Sequence, residues 1–346
     1  MRPVIQLILL VFILFFYYFS EIHLMAGVDS FDLLFNQSSK SFYGYRDTLL
    51  ILGIYYATRK SISLIGDLTI GVKTYLWPRV SPTDLSSYGK WAVITGGSEG
   101  IGRGYAFALA ERGLNIVLIA RDMMKLQSTG DEIRDRFDVE VEQISADFNE
   151  GPSIYRLIEQ KLRGKEIGIL INNVGVMPSR PSPFLSNDSD YLQRLLNVNM
   201  ASVLFMTQLV LRDMVSREKG IIVNISSIAA YHPLPLMSAY SASKAFIDYF
   251  SRSLNYEYKD KGIIVQSVMP GYCCPSQEND FNNILTTPSL LFPSTSTFAE
   301  SAVQTIGKSS RTPGYWPHGL LTWCISKIPQ SVWFPLVSMI QEQLTS

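Results

Sequence analysis

A tyrosine and a lysine four residues apart are the side chains best suited to proton transfer. Tyr240 and Lys244 lie in Ala239–Asp260, which is predicted to be a helix, so the two side chains share one face. A phenol has a pKa of about 10, and a nearby ammonium group lowers it. Ser227, after a predicted strand, could then hold a carbonyl oxygen while Tyr240 donates a proton to it. A surface Tyr/Lys pair is the alternative, since this spacing alone is a weak pattern.

A glycine-rich turn follows the first predicted strand. The sequence from Thr95 to Gly102 reads TGGSEGIG, and a helix is predicted to follow it. Glycines permit a tight turn and close backbone approach, and the helix N-terminus attracts a phosphate. Gly104 could allow close helix–strand packing. An ordinary strand-to-helix turn is the alternative to a dinucleotide site. The predicted cofactor-binding residues of this turn are Gly96, Ser98, Glu99, Gly100, Ile101 and Gly102.

The same turn also matches a second motif, the nucleophile elbow of α/β-hydrolases. Gly96–Gly100 has the form G-x-S-x-G, in which Ser98 would attack an ester. That mechanism needs a carboxylate and a histidine later in the chain. Only His232 and His318 follow, and nothing in the sequence marks either as the third member. The hydrolase is therefore the weaker hypothesis.

Further polar residues follow the next predicted strands. Arg121 stands where NAD-dependent folds often carry an acidic residue, and a guanidinium group can pair with a 2′-phosphate, which favours NADP(H) over NAD. A solvent-facing arginine is the alternative. Asp147 follows the third strand, and Asn173 and Gly175 follow the fourth, where an adenine and a ribose could bind. Asp and Asn are equally common in ordinary turns, so their position at strand ends is what carries this prediction.

Short apolar runs alternate with helical stretches from Lys90 onward. This alternation predicts an α/β fold with a doubly wound parallel sheet. Ligands in such folds bind outside the carboxyl ends of the strands, where the strand order reverses. The predicted strands are Trp91–Thr95, Asn115–Ala120, Val139–Ser145, Ile167–Asn172, Gly220–Ser226 and Ile263–Val268.

The composition is poor in charge for a soluble protein. Charged residues make up 17% of the 346, against about 25% in typical domains, and Lys plus Arg equals Asp plus Glu at 30 each. The zero net charge predicts no nucleic-acid partner. Three cysteines exclude a disulfide framework, and the adjacent Cys273 and Cys274 have no spaced partners, so no metal site is predicted.

The shortage of charged residues is greatest near the N-terminus. Val4–Phe19 is wholly apolar, and sixteen helical residues span about 24 Å, slightly less than a hydrocarbon core. A retained anchor is favoured over a cleaved signal peptide, since no small-residue cleavage site follows. Thr48–Thr58 and Ile62–Trp77 are shorter apolar stretches that fit an interfacial segment, a re-entrant hairpin or a second span. Trp77-Pro78 is predicted to end this region.

The sequence resembles the short-chain dehydrogenase/reductase family over about Tyr88–Met269. The resemblance rests on the glycine turn, on Asn172-Asn173-Val174-Gly175, on the upstream Ser227 and on the Tyr/Lys pair. The resemblance implies a Rossmann-type fold. It implies that Tyr240 is the proton donor, that Lys244 modifies its pKa and binds the nicotinamide ribose, and that Ser227 orients the carbonyl. Asn199 matches a fourth catalytic position that holds a relay water. Pro270 and Gly271 match a cofactor-binding loop.

The sequence is similar to the membrane-bound branch of this family, which includes 17β-hydroxysteroid dehydrogenases and very-long-chain 3-oxoacyl-CoA reductases. The features that carry this similarity are the apolar N-terminus, the segment from Arg311 to Trp316 and the Trp-bearing tail. That similarity implies an NADP(H)-dependent oxidoreductase acting on a hydrophobic substrate, a steroid or a 3-oxoacyl chain. It also implies contact with membrane lipid at the mitochondrion or endoplasmic reticulum inside the cell. A homodimer is expected from the family.

Two features bear on whether the chain is catalytic. Some members of this branch carry Phe at the position of Tyr240 and are regarded as inactive, whereas this chain keeps the tyrosine. Pro275 stands where the family usually has a threonine that binds the nicotinamide carboxamide, with Ser276 one residue later. An active enzyme and a nucleotide-binding pseudoenzyme therefore both remain hypotheses.

Four regions are expected along the chain. Residues 1–24 lie outside the resemblance and form either an apolar anchor or a non-native extension. Residues 25–85 form a membrane-associated region and linker, and residues 86–319 form the dinucleotide-binding catalytic domain. Residues 320–346 form an apolar tail, whose tryptophans fit a lipid pocket, a membrane interface or core packing equally well.

Overall fold

The computed structural model describes residues 28–274 and 287–345. The predictions for Val4–Phe19, Pro275 and Ser276 lie outside these residues. The chain divides into two compact units between Leu68 and Thr69.

The second unit contains an α/β fold. Its strands are β1 (Trp91–Thr95), β2 (Asn115–Ala120), β3 (Val141–Ser145), β4 (Ile167–Asn172), β5 (Gly220–Ile225), β6 (Ile263–Val268) and β7 (Arg311–Thr312). The helices along the described chain are α1 (Val28–Gly71), α2 (Trp77–Val80), α3 (Gly100–Ala110), α4 (Met123–Arg136), α5 (Ser153–Leu162), α6 (Ser189–Leu195), α7 (Ser202–Ser216), α8 (Ser238–Tyr258), α9 (Thr295–Gln304), α10 (Trp316–Ser326) and α11 (Gln330–Thr345).

The seven strands form one parallel sheet in the order β3-β2-β1-β4-β5-β6-β7. The strand order reverses between β1 and β4, which is the switch point where ligands bind in such sheets. The predicted doubly wound, Rossmann-type sheet is therefore confirmed. β3 begins two residues later and β5 ends one residue earlier than predicted.

Apolar side chains cover both faces of the sheet, which explains why its strands have almost continuous apolar sequences. On β1, Ile94 faces one core cluster, which includes Leu109 of α3 and Phe298 of α9. Val93 faces the opposite cluster, with Ile158 of α5 and Met206 of α7. Successive strand residues point to opposite faces, so this alternation places helices on both sides of the sheet.

The N-terminal helix differs from its prediction. α1 runs without a break from Val28 to Gly71, which is incompatible with a re-entrant hairpin in that range. In the first unit, its described apolar side chains are exposed, including Leu50, Ile54 and Tyr55.

The predicted end at Trp77-Pro78 is wrong. The backbone continues as a π-helical turn over Val72–Leu76 and then as α2, which ends at Val80. Pro78 lies at the start of α2, directly after the π-helical turn, and the backbone on both sides of it stays helical.

Within the described residues, one helical stretch, Ser189–Ser216, is long and apolar enough to span a membrane. It comprises α6, a π-helical turn over Leu196–Ala201, and α7. Part of this stretch packs in the core of the second unit, through Met206 among others. Buried helices of soluble domains meet the same criterion, so this stretch is only weak evidence for membrane association.

Gly104 packs against a helix rather than a strand, which corrects the expectation for this residue. A Cβ atom at Gly104 would lie 2.7 Å from Ala299 Cβ and 2.8 Å from the Thr295 carbonyl oxygen, both on α9. The absence of a side chain thus allows α3 and α9 to approach closely.

We expect Gly104→Ala to lower the free energy of unfolding by about 1–3 kcal/mol, because the added methyl overpacks the α3–α9 contact. Urea denaturation of the variant and of the wild type would measure this. In the double variant with Ala299→Gly, the free energy of unfolding should fall by less than the sum of the losses in the two single variants, since one clashing partner is removed. Strict additivity would show that the contact is not the cause.

Candidate active site

A cavity of about 880 Å³ opens at the carboxyl ends of the strands. Its lining includes residues that follow β1, β2, β3, β4, β5 and β6. All but two of the predicted site residues line it. Those that do are Gly96, Ser98, Glu99, Gly100, Ile101, Arg121, Asp147, Asn173, Gly175, Ser227, Tyr240, Lys244, Pro270 and Gly271; Gly102 and Asn199 do not.

The glycine turn has the conformation that its sequence suggests. Gly96 and Gly100 have φ angles of +63° and +59°, in the left-handed region that favours glycine. A Cβ at Gly102 would lie against the Gly96 carbonyl oxygen, so the start of α3 packs tightly under the turn. A Cβ at Gly100 would meet no atom within 4 Å, so the backbone at the start of α3 is open toward a ligand.

Asn173 braces this turn. Its side-chain amide donates to the carbonyl oxygens of Thr95 (3.0 Å) and Gly96 (3.1 Å), and its backbone N–H donates to Thr95 Oγ1 (2.9 Å). Asn173 was predicted to lie beside the adenine and ribose. The structure places it at the cavity, but its amide group is used to join the ends of β1 and β4.

Arg121 and Asp147 occupy different positions at the cavity. Arg121 is exposed at the end of β2. Asp147 follows β3, and its Oδ1 accepts a hydrogen bond from the Asn149 N–H (2.9 Å), so it also caps a short 3₁₀ turn.

A second cation lies near Arg121, and sequence reasoning missed it. Lys125 Nζ lies 2.7 Å from Glu99 Oε2, in an exposed ion pair that joins α4 to the glycine turn. The hydrogen bond and charge of Glu99 raise the Lys125 pKa.

Ser227, Tyr240 and Lys244 converge on the cavity. Ser227 follows β5, and its Oγ accepts from the Ala229 N–H at 3.1 Å and lies beside the Tyr240 hydroxyl. Lys244 lies one helical turn after Tyr240 on α8, with its Nζ 5.8 Å from the centre of the tyrosine ring. Lys244 is 5% exposed and donates from Nζ to the Ile225 carbonyl oxygen (3.1 Å). A surface Tyr/Lys pair is therefore excluded.

Burial shifts the pKa values of both groups. Burial lowers the Lys244 pKa to about 8. Burial also raises the Tyr240 pKa above its ordinary value, and the Ser227 hydroxyl beside it opposes this rise. The net shift of the Tyr240 pKa is therefore opposite in direction to the expected lowering, because loss of hydration is its largest cause.

Asn199 lies behind the cavity rather than on its surface. It belongs to the π-helical turn between α6 and α7 and is fully buried. Its Oδ1 accepts from the Val176 N–H (2.7 Å), and its Nδ2 donates to the Val176 carbonyl oxygen (2.9 Å) and to Ser243 Oγ (3.1 Å). These bonds fix the loop after β4 to α8. Its relay role stays a prediction.

The hydrolase hypothesis receives no support from the described residues. His232 Nε2 bonds to the Ile325 carbonyl oxygen (3.1 Å), and His318 bonds to the backbone of Gly271 and Leu291. Neither histidine contacts Ser98, so the described part of the chain contains no Ser-His pair at the glycine turn.

Several supporting residues had no local sequence signal. Ser226 Oγ donates to the Lys244 carbonyl oxygen (2.6 Å), and Asn224 Nδ2 donates to Ser251 Oγ (2.9 Å), so two bonds join β5 to α8. Asn172 Nδ2 donates to Asn224 Oδ1 (2.8 Å), which links β4 to β5. Asn at a strand end could have suggested such a link, but its partner is fixed only by the sheet order.

The sequence pattern of the short chain dehydrogenase family matches residues 90–283, more than half of the chain. The matched residues include the glycine turn, the braced loop after β4, and the Ser227, Tyr240 and Lys244 group. The chain therefore belongs to the short-chain dehydrogenase/reductase family.

Relatives with two kinds of names align with most of the chain. It is 44% identical to human "Inactive hydroxysteroid dehydrogenase-like protein 1", over 89% of this chain and 94% of that protein. It is 41% identical to "Very-long-chain 3-oxoacyl-CoA reductase" from Anas platyrhynchos, over 84% of this chain and 91% of that protein. A solved short-chain dehydrogenase from Sphingobium yanoikuyae in complex with NADPH is 30% identical, has a TM-score of 0.58, and aligns over 69% of this chain and 96% of its own.

We expect Lys244→Met to raise the free energy of unfolding at pH 7, because it removes a buried ammonium group. The folded pKa of Lys244 is about 8 against 10.5 in its ordinary state, so the charge costs at most about 3–4 kcal/mol below pH 8. Since the unfolded chain holds the proton more tightly, the wild type regains stability as the pH rises from 8 to 10.5. The difference between the two proteins should therefore narrow from pH 7 to pH 9.5.

Urea denaturation of both proteins at these two pH values would measure that difference, and comparison at equal pH cancels the other titrating groups. A difference that does not change with pH would contradict the lowered pKa. A Met variant that is less stable at pH 7 would show that the lost bond to the Ile225 carbonyl outweighs desolvation.

Proposed function

We propose that the chain is an NADP(H)-dependent oxidoreductase that interconverts a ketone and a secondary alcohol on a hydrophobic substrate. The observation that carries the proposal is the convergence of Ser227, Tyr240 and Lys244 on the cavity that the glycine turn borders. The substrate class is a steroid or a 3-oxoacyl chain. The name of the Anas platyrhynchos relative, a 3-oxoacyl-CoA reductase, supports the 3-oxoacyl chain.

The cavity residues fit a dinucleotide. Left-handed glycines expose the backbone at the start of α3, where a helix N-terminus favours a phosphate. Arg121 offers a guanidinium group for a 2′-phosphate, and Lys244 Nζ offers a donor for ribose hydroxyls. When bound, the nicotinamide supplies a hydride to the carbonyl carbon.

The side chains of the site divide the remaining work. Ser227 Oγ, beside the Tyr240 hydroxyl, orients the carbonyl oxygen. A phenol is protonated at neutral pH, and burial raises the Tyr240 pKa further, so its hydroxyl is available to donate a proton to that oxygen. The Lys244 ammonium, held by the Ile225 carbonyl, stabilises the phenolate that remains.

We further propose that the protein associates with an intracellular membrane, at the mitochondrion or the endoplasmic reticulum. The exposed apolar side chains of α1 support an association with membrane lipid. A membrane would also concentrate a hydrophobic substrate. A homodimer of the family type is the expected assembly.

A second function, a nucleotide-binding pseudoenzyme, is favoured by one comparison. The human relative carries the word "inactive" in its name at 44% identity. The intact Tyr240 and its position beside Ser227 favour an enzyme. NADPH binding without turnover on steroid ketones and 3-oxoacyl substrates would establish the pseudoenzyme.

Tyr240→Phe is expected to lower kcat by about 10²–10⁴-fold, because it removes the proton donor and nothing else from the ring. NADPH oxidation with both substrate panels would measure kcat, and NADPH fluorescence would measure Kd, which should change little. Tyr249→Phe on the exposed face of the same helix is the matched control and should leave kcat unchanged. Equal activity of Tyr240→Phe and wild type would exclude Tyr240 as the donor.

Arg121→Asp is expected to weaken NADPH binding by about 10–100-fold, since a charge-assisted contact with the 2′-phosphate is worth about 1.5–3 kcal/mol. NADH binding should become equal or tighter, because Asp can accept from the ribose 2′-hydroxyl. Arg163→Asp makes the same charge change at an exposed site after α5 and controls for net charge. If both variants retain the wild-type preference, Arg121 does not select the cofactor.

A further inference from the structure

His318 is a fully buried histidine that the proposed chemistry does not use. It lies in the first turn of α10, beyond the residues 90–283 that the family pattern matches. Phe298 and Tyr315 pack around its ring, with ring centres 5.8 Å and 5.3 Å away. Burying an imidazole is unfavourable unless its two nitrogen atoms are satisfied, and both are.

The bonding partners define the state of the imidazole ring. The Gly271 backbone N–H lies 3.2 Å from Nδ1, and an N–H can only donate, so Nδ1 accepts. The Leu291 carbonyl oxygen lies 3.1 Å from Nε2 and can only accept, so Nε2 carries the proton. His318 is therefore the neutral Nε2–H tautomer. Burial also lowers its pKa, which agrees with this assignment.

The backbone that His318 holds forms one wall of the cavity. Pro270, Gly271, Tyr272 and Cys273 line it. The fit at Gly271 is close, since a Cβ there would lie 3.0 Å from the imidazole ring. The Cys274 N–H donates to the Pro293 carbonyl oxygen (2.9 Å), so the residues around Leu291 also abut this wall.

We propose that His318 is a positioning residue that fixes the Pro270–Cys273 wall for binding of the nicotinamide dinucleotide. This proposal rests on the proposed function. His318 does not line the cavity, and both ring nitrogens are occupied, so it acts through the Gly271 backbone rather than by proton transfer. A segment beyond the dinucleotide-binding core thereby shapes the cofactor site.

Three substitutions at His318 distinguish its bond to the Gly271 N–H from its bond to the Leu291 carbonyl oxygen. His318→Asn keeps an acceptor, since Asn Oδ1 and His Nδ1 are both attached to Cγ, whereas His318→Gln keeps a donor at the Nε2 position. His318→Leu keeps neither. We expect NADPH Kd, measured by fluorescence on the full-length protein, to rise by about tenfold for Leu and Gln, because the partly buried Gly271 N–H loses its acceptor. The Asn variant should stay within about threefold of the wild type.

Hydrogen exchange in the absence of NADPH tests the contact separately. The Gly271 amide should exchange about tenfold faster in the Leu and Gln variants and remain protected in the Asn variant. Thr322→Val removes a buried hydrogen bond within α10, to the His318 carbonyl oxygen, and should change neither Kd nor Gly271 exchange. Thermal unfolding of each variant identifies any that fail to fold.

Three outcomes would overturn the proposal. They are wild-type NADPH affinity in His318→Leu, equal weakening in the Asn and Leu variants, and Gly271 exchange that is the same in all the folded proteins. A wild type that does not bind NADPH would defeat the proposed function instead, and the exchange data would still uphold or overturn the His318–Gly271 contact.

Discussion

The joining of α8 to the end of β5 is the interaction on which the site depends. The Ser226 hydroxyl donates to the Lys244 carbonyl oxygen, and the Lys244 ammonium donates to the Ile225 carbonyl oxygen. Together they set the height and rotation of α8 relative to the sheet. Tyr240, one turn earlier, is thereby brought to Ser227 at the strand end. A side chain on a helix and another on a loop become one site because the backbone between them is fixed.

This arrangement has an energetic cost. The Lys244 ammonium is nearly fully removed from water, and its pKa is lowered to about 8 as a consequence. Burial also keeps the Tyr240 phenol protonated by raising its pKa. A packed core on both faces of the sheet provides the stability that tolerates these groups. The chemistry of the site thus follows from desolvation as much as from the proximity of the two side chains.

The C-terminal part of the second unit completes the fold around this centre. β7 pairs with β6, and α9 packs against α3 through the contact at Gly104. Of these elements, α9 reaches the cavity, through Thr295. The cavity therefore has walls from the dinucleotide-binding core and from residues that follow it in the chain.

The sequence predicted most of the sheet and its ligand-binding edge. Buried parallel strands are short apolar runs, and the glycine turn and the Tyr/Lys spacing are local patterns that do not depend on distant residues. β7 was missed because two residues carry no periodicity.

Other features required the tertiary structure. The contacts of Gly104 with α9 and of Asn173 with the glycine turn join residues that are far apart in sequence or on neighbouring strands. The direction of the Tyr240 pKa shift was also decided there, because desolvation depends on everything packed around a group. The sequence by itself determined which groups are available for chemistry, since their types and spacing are local. Their burial and partners were decided only by the fold, because those depend on contacts between distant parts of the chain.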